Sequence, residues 1–101
     1  MGKLVRDRIP EIIRDSGREP VVRVLDQPEY LTELLRKLVE EAEEAATSPR
    51  EKLLEEIADV HEVLLALLAA LDETLPRLES LASEKRSSRG AFRDRLYLES
   101  W

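Results

Sequence analysis

The sequence lacks cysteine altogether and contains only one tryptophan, one phenylalanine and two tyrosines. Without cysteine the chain has no disulfide scaffold, no thiolate zinc site and no thiol nucleophile, and it suits a reducing compartment. Few aromatic and β-branched residues among many leucines, alanines and glutamates favour helices over sheets. These absences predict an all-α protein of the cytoplasm.

Long apolar runs are also missing. The longest, residues 63–71, is much shorter than the roughly 20 residues that a helix needs to cross a bilayer. The N-terminus is charged from Lys3 onward, unlike a signal peptide. We therefore expect a soluble protein with no membrane partner.

Basic residues are outnumbered, 16 against 22 acidic ones, which gives a net charge of −6. Binding to a nucleic acid polymer requires a basic face, so this balance argues against it, whereas it suits a protein that collects divalent cations. A length of 101 residues predicts a single domain over residues 1–101. The core of such a small domain is thin, so oligomerisation would stabilise it.

Two segments show clear helical periodicity. The first covers residues 28–46, where the apolar residues recur at helical spacing: Leu31, Leu34, Leu35, Leu38, Ala42 and Ala45. The second begins at residues 48–51 (SPRE), which predict a capping box with Ser48 at the N-cap. Its predicted core stripe consists of Leu53, Ile57, Val60, Leu64, Leu67, Leu68 and Leu71. Since few residues separate the two helices, they should pack as an antiparallel hairpin.

The flanking segments are less regular. Residues 3–14 predict a short helix that Ser16 and Gly17 end, and Asp7 could either cap this helix or act as a ligand. Residues 21–25 are β-prone but have no sheet to join, which indicates an extended connector. A fourth helix should run from residues 74–76 to residues 85–89, before an irregular or short-helical tail. The fold class is therefore all-α, a helical hairpin-based bundle completed by assembly into a homodimer or higher homo-oligomer.

The chemistry-bearing residues are acids on the two long helices. Helical geometry places Lys37, Glu41 and Glu44 along one edge of the first stripe. Glu56 and Asp59 lie likewise beside the second. When the hairpin closes, the two acidic pairs can face one another. Crowded carboxylates repel unless a cation lies among them, and hard oxygen ligands prefer Mg²⁺ or Mn²⁺.

An ordinary solvated acidic face is the alternative interpretation. Glu40, Glu43, Glu51 and Glu55 supply such exposed acids.

The order of these motifs resembles a known superfamily. EExxE (Glu40, Glu41, Glu44) followed by ExxD (Glu56, Asp59) resembles the signature of the all-α nucleotide pyrophosphohydrolases, which include MazG, the dimeric dUTPases and phosphoribosyl-ATP pyrophosphohydrolase. The opening KLVRDRIPEII and the closing RGAF are similar to a compact subgroup of MazG-like, phosphoribosyl-ATP pyrophosphohydrolase-like proteins. Together the matches span nearly the whole chain.

The resemblance implies an Mg²⁺-dependent enzyme that cleaves a nucleoside triphosphate to its monophosphate and pyrophosphate, in a house-cleaning role on non-standard nucleotides. The implied metal ligands are Glu41, Glu44, Glu56 and Asp59, with Mn²⁺ as a substitute ion. Glu40 would position water, and Lys37 would contact a substrate phosphate, so Lys37, Glu40 and Glu41 are the implied catalytic residues.

Ala91 departs from the subgroup pattern, in which a second glycine is expected. This puts in doubt any role of the RGAF segment that needs a glycine-only conformation.

Basic residues near both ends are further candidates. Lys3, Arg6, Arg8 and Arg89 could hold substrate phosphates, because ammonium and guanidinium groups suit phosphate; solvation at the surface is the alternative. His61 is expected to be structural, and Tyr97 and Trp101 to pack at an interface.

Two other functions stay open from the sequence. One is the phosphoribosyl-ATP pyrophosphohydrolase of histidine biosynthesis, although the KLVRDRIP opening does not resemble the start of that enzyme. The other is a non-catalytic helical interaction module, which metal dependence would separate from an enzyme. Few aromatic residues mark a base pocket, so the sequence does not identify the accepted base.

Overall fold

The computed structural model describes residues 2–101, and helices are the regular structure in this range. The α-helices are α1 (Ile9–Asp15), α2 (Gln27–Thr47), α3 (Leu53–Ala70) and α4 (Leu75–Arg89), and a 3₁₀ turn (Arg50–Lys52) precedes α3. Residues 2–101 contain no strand, so the all-α prediction is confirmed. Residues 21–25 form no helix or strand, and the tail after α4 is irregular, as expected. None of the helices in this range combines the length and apolarity that a membrane span requires.

Helix α2 begins at a cap that its sequence specifies. The Asp26 carboxylate accepts a hydrogen bond from the Glu29 N–H at 2.9 Å, and Pro28 occupies the first turn, where its missing N–H costs nothing. Helix α4 begins in the same way, with Thr74 Oγ1 accepting from the Arg77 N–H at 3.2 Å. These two starts match the sequence predictions.

The predicted capping box between α2 and α3 is wrong. The hydroxyl of Ser48 donates to the carbonyl of Ala45 at 3.3 Å, so it closes the end of α2 and accepts no N–H from α3. Pro49 is extended, and the 3₁₀ turn separates it from the first residue of α3. The connection between the two helices is short, and its one serine is bonded to the end of α2. Ser48 is therefore not available to cap α3.

Asp7 does not cap α1. Arg8 is the N-cap residue and no side chain accepts a hydrogen bond there. The predicted stop is confirmed, because Gly17 has φ +93 and closes the helix with hydrogen bonds Gly17 N–H to Arg14 O and Arg18 N–H to Ile13 O. Helix α3 ends with the same pair of bonds around Asp72, at φ 56. Both ends are Schellman motifs, in which one left-handed residue satisfies the last carbonyls.

Helices α2 and α3 pack against each other as an antiparallel hairpin, as predicted. Their core consists of Leu34, Val63 and Leu67, which are 3%, 7% and 9% exposed. Partly buried apolar residues surround it: Leu4, Tyr30, Leu31, Leu38, Ala66 and Ala70. The hairpin is therefore the one strongly packed unit in residues 2–101.

The predicted core stripe of α3 is only partly correct. Val60, Leu67 and Leu68 are buried or half-buried, whereas four members are exposed at 37–56%: Leu53, Ile57, Leu64 and Leu71. The inward face of α3 passes instead through Val63, Ala66 and Ala70. Helix α3 is apolar on most of its circumference, so periodicity alone could not select which face meets α2.

The described chain is far from compact. Its radius of gyration is 17.5 Å, against about 13 Å for a compact domain of this length. Its accessible surface is 9272 Å², against about 5,800 Å² for a compact monomer of this mass. Much apolar surface, including that of α4 and the tail, remains uncovered by the chain itself.

Candidate metal centre

Three carboxylates meet at the seam between α2 and α3. Each of Glu41, Glu56 and Asp59 offers an oxygen, and these atoms all lie within 4.8 Å of one another. Glu41 comes from the middle of α2, whereas Glu56 and Asp59 are three residues apart in the first half of α3. Antiparallel packing brings them together because residues three apart share one face of a helix. Three of the four predicted ligands are thus gathered.

Glu41 is the least ordinary member of this acidic cluster. It is 8% exposed, and its Oε2 atom is buried without a hydrogen-bond partner. Its other oxygen, Oε1, lies 3.6 Å from Lys37 Nζ. A buried carboxylate oxygen without a partner is costly and needs an explanation. A ligand that binds at this oxygen would remove the cost.

The electrostatic environment also disfavours the charged form of Glu41. Burial raises the pKa of its carboxyl, and the neighbouring carboxylate of Glu44 raises it further. The charge of Asp59 raises this pKa too, while the ammonium of Lys37 acts in the opposite direction. Added positive charge at this point would therefore stabilise the carboxylate.

The donor set fits a hard divalent cation. Carboxylate oxygens are the ligands that Mg²⁺ and Mn²⁺ prefer, and Mg²⁺ takes few protein ligands because it retains water or binds phosphate oxygens. Glu41, whose Oε2 has no partner, belongs to a cluster of this chemistry. The residues present are therefore suited to such an ion.

Basic side chains border the cluster. Lys37 Nζ lies 3.4 Å from Glu40 Oε1, and the lysine side chain is 18% exposed. Arg6 Nη2 donates to Asp59 Oδ1 at 2.8 Å across a separation of 53 residues. The site therefore combines carboxylates that suit a cation with cationic groups that suit an anion.

Two cavities adjoin the cluster. A cavity of about 240 Å³ is lined by Lys3, Val5, Arg6, Ile9, Lys37, Glu41, Glu44 and Asp59. A second, of about 430 Å³, shares the charged residues Arg6, Lys37, Glu41 and Asp59 with the first. Its other lining residues include the apolar Leu4, Tyr30, Leu34, Val63 and Ala66 and the charged Asp7, Arg8 and Glu62. A molecule with an anionic and an apolar part could therefore occupy both.

The remaining predicted site residues lie at different distances from this centre. Glu44 is outside the set of three but lines the smaller cavity, and its side chain influences Glu41. Lys3 lines the smaller cavity as well. Arg8 lines the larger one, while its Nη2 lies 3.4 Å from Glu11 Oε1. Arg89 lies in the last turn of α4 and lines neither cavity.

The RGAF segment ends α4. Gly90 carries the positive φ of 83°, whereas Ala91 is not among the positive-φ residues of the described chain. A second glycine is therefore not required by this backbone.

Some residues at the site were not singled out by their pattern. Tyr30 and Glu62 line the larger cavity, but one sits in an apolar helix face and the other among ordinary helical acids. The pairing of Arg6 with Asp59 was also missed, because nothing in the local sequence links residues 53 positions apart. Only the tertiary path of the N-terminal segment shows it.

Comparison with known proteins adds little to this geometry. No protein-family profile matches the chain, and no solved structure matches it. An uncharacterized protein of Mycolicibacterium smegmatis is 55% identical to it over 56 residues, which cover 54% of this chain and 57% of the relative. The chain thus aligns with less than two thirds of that relative, whose description states no activity.

Proposed function

We propose that this protein is a divalent-cation-dependent nucleotide pyrophosphohydrolase, which converts a nucleoside triphosphate and water to the monophosphate and pyrophosphate. The proposal depends above all on Glu41, buried and without a partner at Oε2 among carboxylates that lie within 4.8 Å of one another. The EExxE and ExxD resemblance supplies the reaction class.

Mg²⁺ is the proposed cofactor, with Mn²⁺ as its substitute. Glu41, Glu56 and Asp59 would hold it. Glu41 and Asp59 also line the smaller cavity, together with Glu44, whereas Glu56 does not. When bound, the ion neutralises part of the acidic charge and withdraws electron density from substrate phosphate oxygens.

The basic groups bind the phosphates in this proposal. Lys37 is largely buried beside the cluster, and Lys3 and Arg6 line the same small cavity. Their charges attract the phosphate chain and balance the charge that develops on the leaving pyrophosphate. Arg8 contributes from the rim of the larger cavity, whereas the position of Arg89 on α4 gives no support to a phosphate contact.

Glu40 is the proposed base. Its side chain is 42% exposed and its Oε1 lies 3.4 Å from Lys37 Nζ, so it is accessible to water and oriented by a cation, although Glu40 itself lines neither cavity. Glu40 takes a proton from water, the water oxygen bonds to the α-phosphorus, and the bond from that phosphorus to the bridging oxygen of the β-phosphate breaks. Pyrophosphate leaves with that oxygen.

The base and sugar are assigned to the larger cavity. Its volume of about 430 Å³ lies within the range of about 300–1,000 Å³ that is usual for small-molecule sites. Its walls are mostly apolar next to the charged residues that it shares with the smaller cavity. A house-cleaning role on non-standard nucleotides in the cytoplasm completes the proposal.

A second copy of the chain is the proposed partner. The described chain exposes 9272 Å², which exceeds the surface of a compact monomer by about 3,400 Å². A standard interface buries about 800 Å² per partner. The exposed apolar row Leu53, Ile57, Leu64 and Leu71 on α3 is the natural surface for a homodimer or a higher oligomer.

The same exposed surface favours one other function, a helical interaction module without catalysis. In that case the acids would only keep the protein in solution. They would then bind no cation with a defined stoichiometry.

The test is turnover of a nucleotide panel in ¹⁸O-labelled water. We expect pyrophosphate release with Mg²⁺, none with EDTA, and the label in the monophosphate, because water attacks the α-phosphorus. Glu41→Gln should abolish release, whereas Glu43→Gln, which changes an exposed acid of the same helix, should retain it. Absence of release from every nucleotide, or release that is insensitive to EDTA, would refute the proposed function.

A further inference from the structure

The N-terminal arm, residues 2–8, crosses the hairpin next to the acidic cluster. Leu4 packs against the apolar core, and Arg6 Nη2 donates to Asp59 Oδ1 at 2.8 Å. Asp59 is at the same time one of the three clustered carboxylates. The Arg6 side chain therefore pairs with a carboxylate that belongs to the proposed cation site.

We infer that Arg6 is the resident counter-ion of the acidic cluster, and that a divalent cation displaces it from Asp59 and frees its guanidinium for phosphate. The inference rests on the proposed cation site. It adds an order of events, in which the cation binds first and the Arg6 side chain then turns to the anionic ligand.

The charges of the site are divided between two basic residues. Lys37 lies near the α2 acids, 3.4 Å from Glu40 and 3.6 Å from Glu41. Arg6 pairs with the α3 acid Asp59. A dication held by the cluster would lie a few ångströms from the guanidinium, and like charges at such distances repel. Arg6 and the cation therefore compete for Asp59.

The exchange is feasible because the existing pair is weak. The side chains of Arg6 and Asp59 are 58% and 43% exposed, and ion pairs so open to water contribute little to stability. The core contact of Leu4 can hold the arm on the hairpin while the Arg6 side chain turns away.

After displacement from Asp59, the guanidinium of Arg6 would still lie next to both cavities. Arg6 and Val5 line both cavities, so this part of the arm lies between them. Lys3 and Lys37 line the smaller cavity beside Arg6. A guanidinium released from Asp59 thus remains next to two other cations, in a place where a phosphate chain would meet all three.

The test is calorimetric titration with Mn²⁺ alone, without nucleotide, of the wild type, Arg6→Gln and the control Arg14→Gln. Arg14 pairs with Glu19 on the exposed surface of α1, so the control removes the same charge elsewhere. We expect Arg6→Gln to bind Mn²⁺ about three- to fivefold more tightly than the wild type, the size of a lost exposed ion pair. Arg14→Gln should match the wild type.

A second measurement follows Arg6 directly. The Arg6 Nε–H resonance of ¹⁵N-labelled wild type should move on addition of Mg²⁺ and move again when pyrophosphate is added. If Arg6→Gln binds Mn²⁺ as the wild type does, or more weakly, the counter-ion role is refuted while the cation site stands. If neither the wild type nor either variant binds Mn²⁺, the inference and the proposed function both fail.

Discussion

The seam between α2 and α3 has two halves that differ in kind. The apolar half, Leu34 with Val63 and Leu67, is closed by the chain itself, with these side chains at most 9% exposed. The acidic half, Glu41 with Glu56 and Asp59, is buried at Glu41 but leaves Oε2 without a partner. The same helix pair thus contains an apolar half whose side chains are covered by the chain and an acidic half in which a buried carboxylate oxygen has no positively charged partner.

This difference separates stability from function. Burial of apolar side chains stabilises the fold, whereas burial of a carboxylate oxygen without a partner destabilises it. A thin core has little stability to spare for such a cost. We therefore expect substitutions in the two halves to have opposite signatures, and the following experiments test that expectation.

The largest effect should come from the acidic half. Neutral isosteres at Glu41, Glu56 or Asp59 should each reduce Mg²⁺-dependent pyrophosphate release by about a thousandfold, because each removes an anionic ligand. Glu44→Gln should cost less, since Glu44 lies outside the set of three. Glu43→Gln is the matched control and should cost almost nothing. Equal losses in the control and in the three would show that the site is misassigned.

Substitutions in the apolar half should instead reduce the stability of the fold. Leu34→Ala should lower the free energy of unfolding by about 2–4 kcal/mol, the cost of a cavity in a small core. Leu54→Ala, on an exposed part of α3 at 79%, is the control and should change little. Chemical denaturation measures both. If Leu34→Ala is no more harmful than Leu54→Ala, the hairpin core does not support the fold.

The uncovered face of α3 provides a third comparison. Placing a charge there, as in Leu64→Glu, should shift a homo-oligomer toward the monomer by about tenfold or more in its dissociation constant, because the charge would be buried at the interface. Val21→Glu, in the exposed connector, serves as the control. Light scattering over a dilution series reports the change. A wild-type protein that is monomeric at high concentration would refute the proposed homo-oligomer.

The pH dependence of stability should distinguish Glu41 from an ordinary acid. Burial raises its folded-state pKa above the ordinary 4.5, so its protonated form contributes stability that is fully present below about pH 4.5 and is lost as the pH rises through the folded pKa. Glu29 has the opposite sign, because the hydrogen bond from Arg23 lowers its pKa. Its contribution is present above pH 4.5 and is lost as the pH falls.

Thermal melts in EDTA across pH 4–8 test this difference. Glu41→Gln should melt at or above the wild-type temperature at neutral pH, by a few degrees, and the advantage should shrink toward pH 4. Glu29→Gln should show no such gain. A Glu41→Gln variant that is less stable than the wild type at pH 7 would mean that the ion pair with Lys37 outweighs the cost of burying the carboxylate.

The smallest expected effect lies outside the seam, at the end of α1. Gly17→Ala should cost about 1 kcal/mol, because φ +93 is strained for alanine although nothing lies within 4 Å of the added Cβ. Gly2→Ala, which is equally uncrowded and has no positive φ, should be neutral. Equal melting temperatures for both variants would contradict the conformational explanation.

Much of the fold followed from local sequence signals. The bounds of α2 and α4 and the stop at Gly17 depend on caps, proline and glycine, which act over a few residues. The capping box at Ser48 failed because the serine had a second possible role, in the end of α2, that local pattern cannot weigh. The prediction of the inward face of α3 failed because apolar residues occupy most of the circumference of that helix, and tertiary packing alone selects a side.

The candidate site shows the same division. The meeting of Glu41 with Glu56 and Asp59 could be predicted, since helical spacing and antiparallel packing fix it. The pairing of Arg6 with Asp59 could not, because it depends on the path of residues 2–8 over the hairpin. Periodicity describes the helices well and says nothing about an irregular arm.

The central claim is that the acidic half of the seam binds a divalent cation. Titration of Mn²⁺ into the protein, followed by the electron paramagnetic resonance of the free ion, tests it most directly. We expect saturable binding with a defined stoichiometry in the wild type and in Glu43→Gln, and its loss in Glu41→Gln. Non-saturating uptake by all three proteins, or undiminished binding by Glu41→Gln, would contradict the claim.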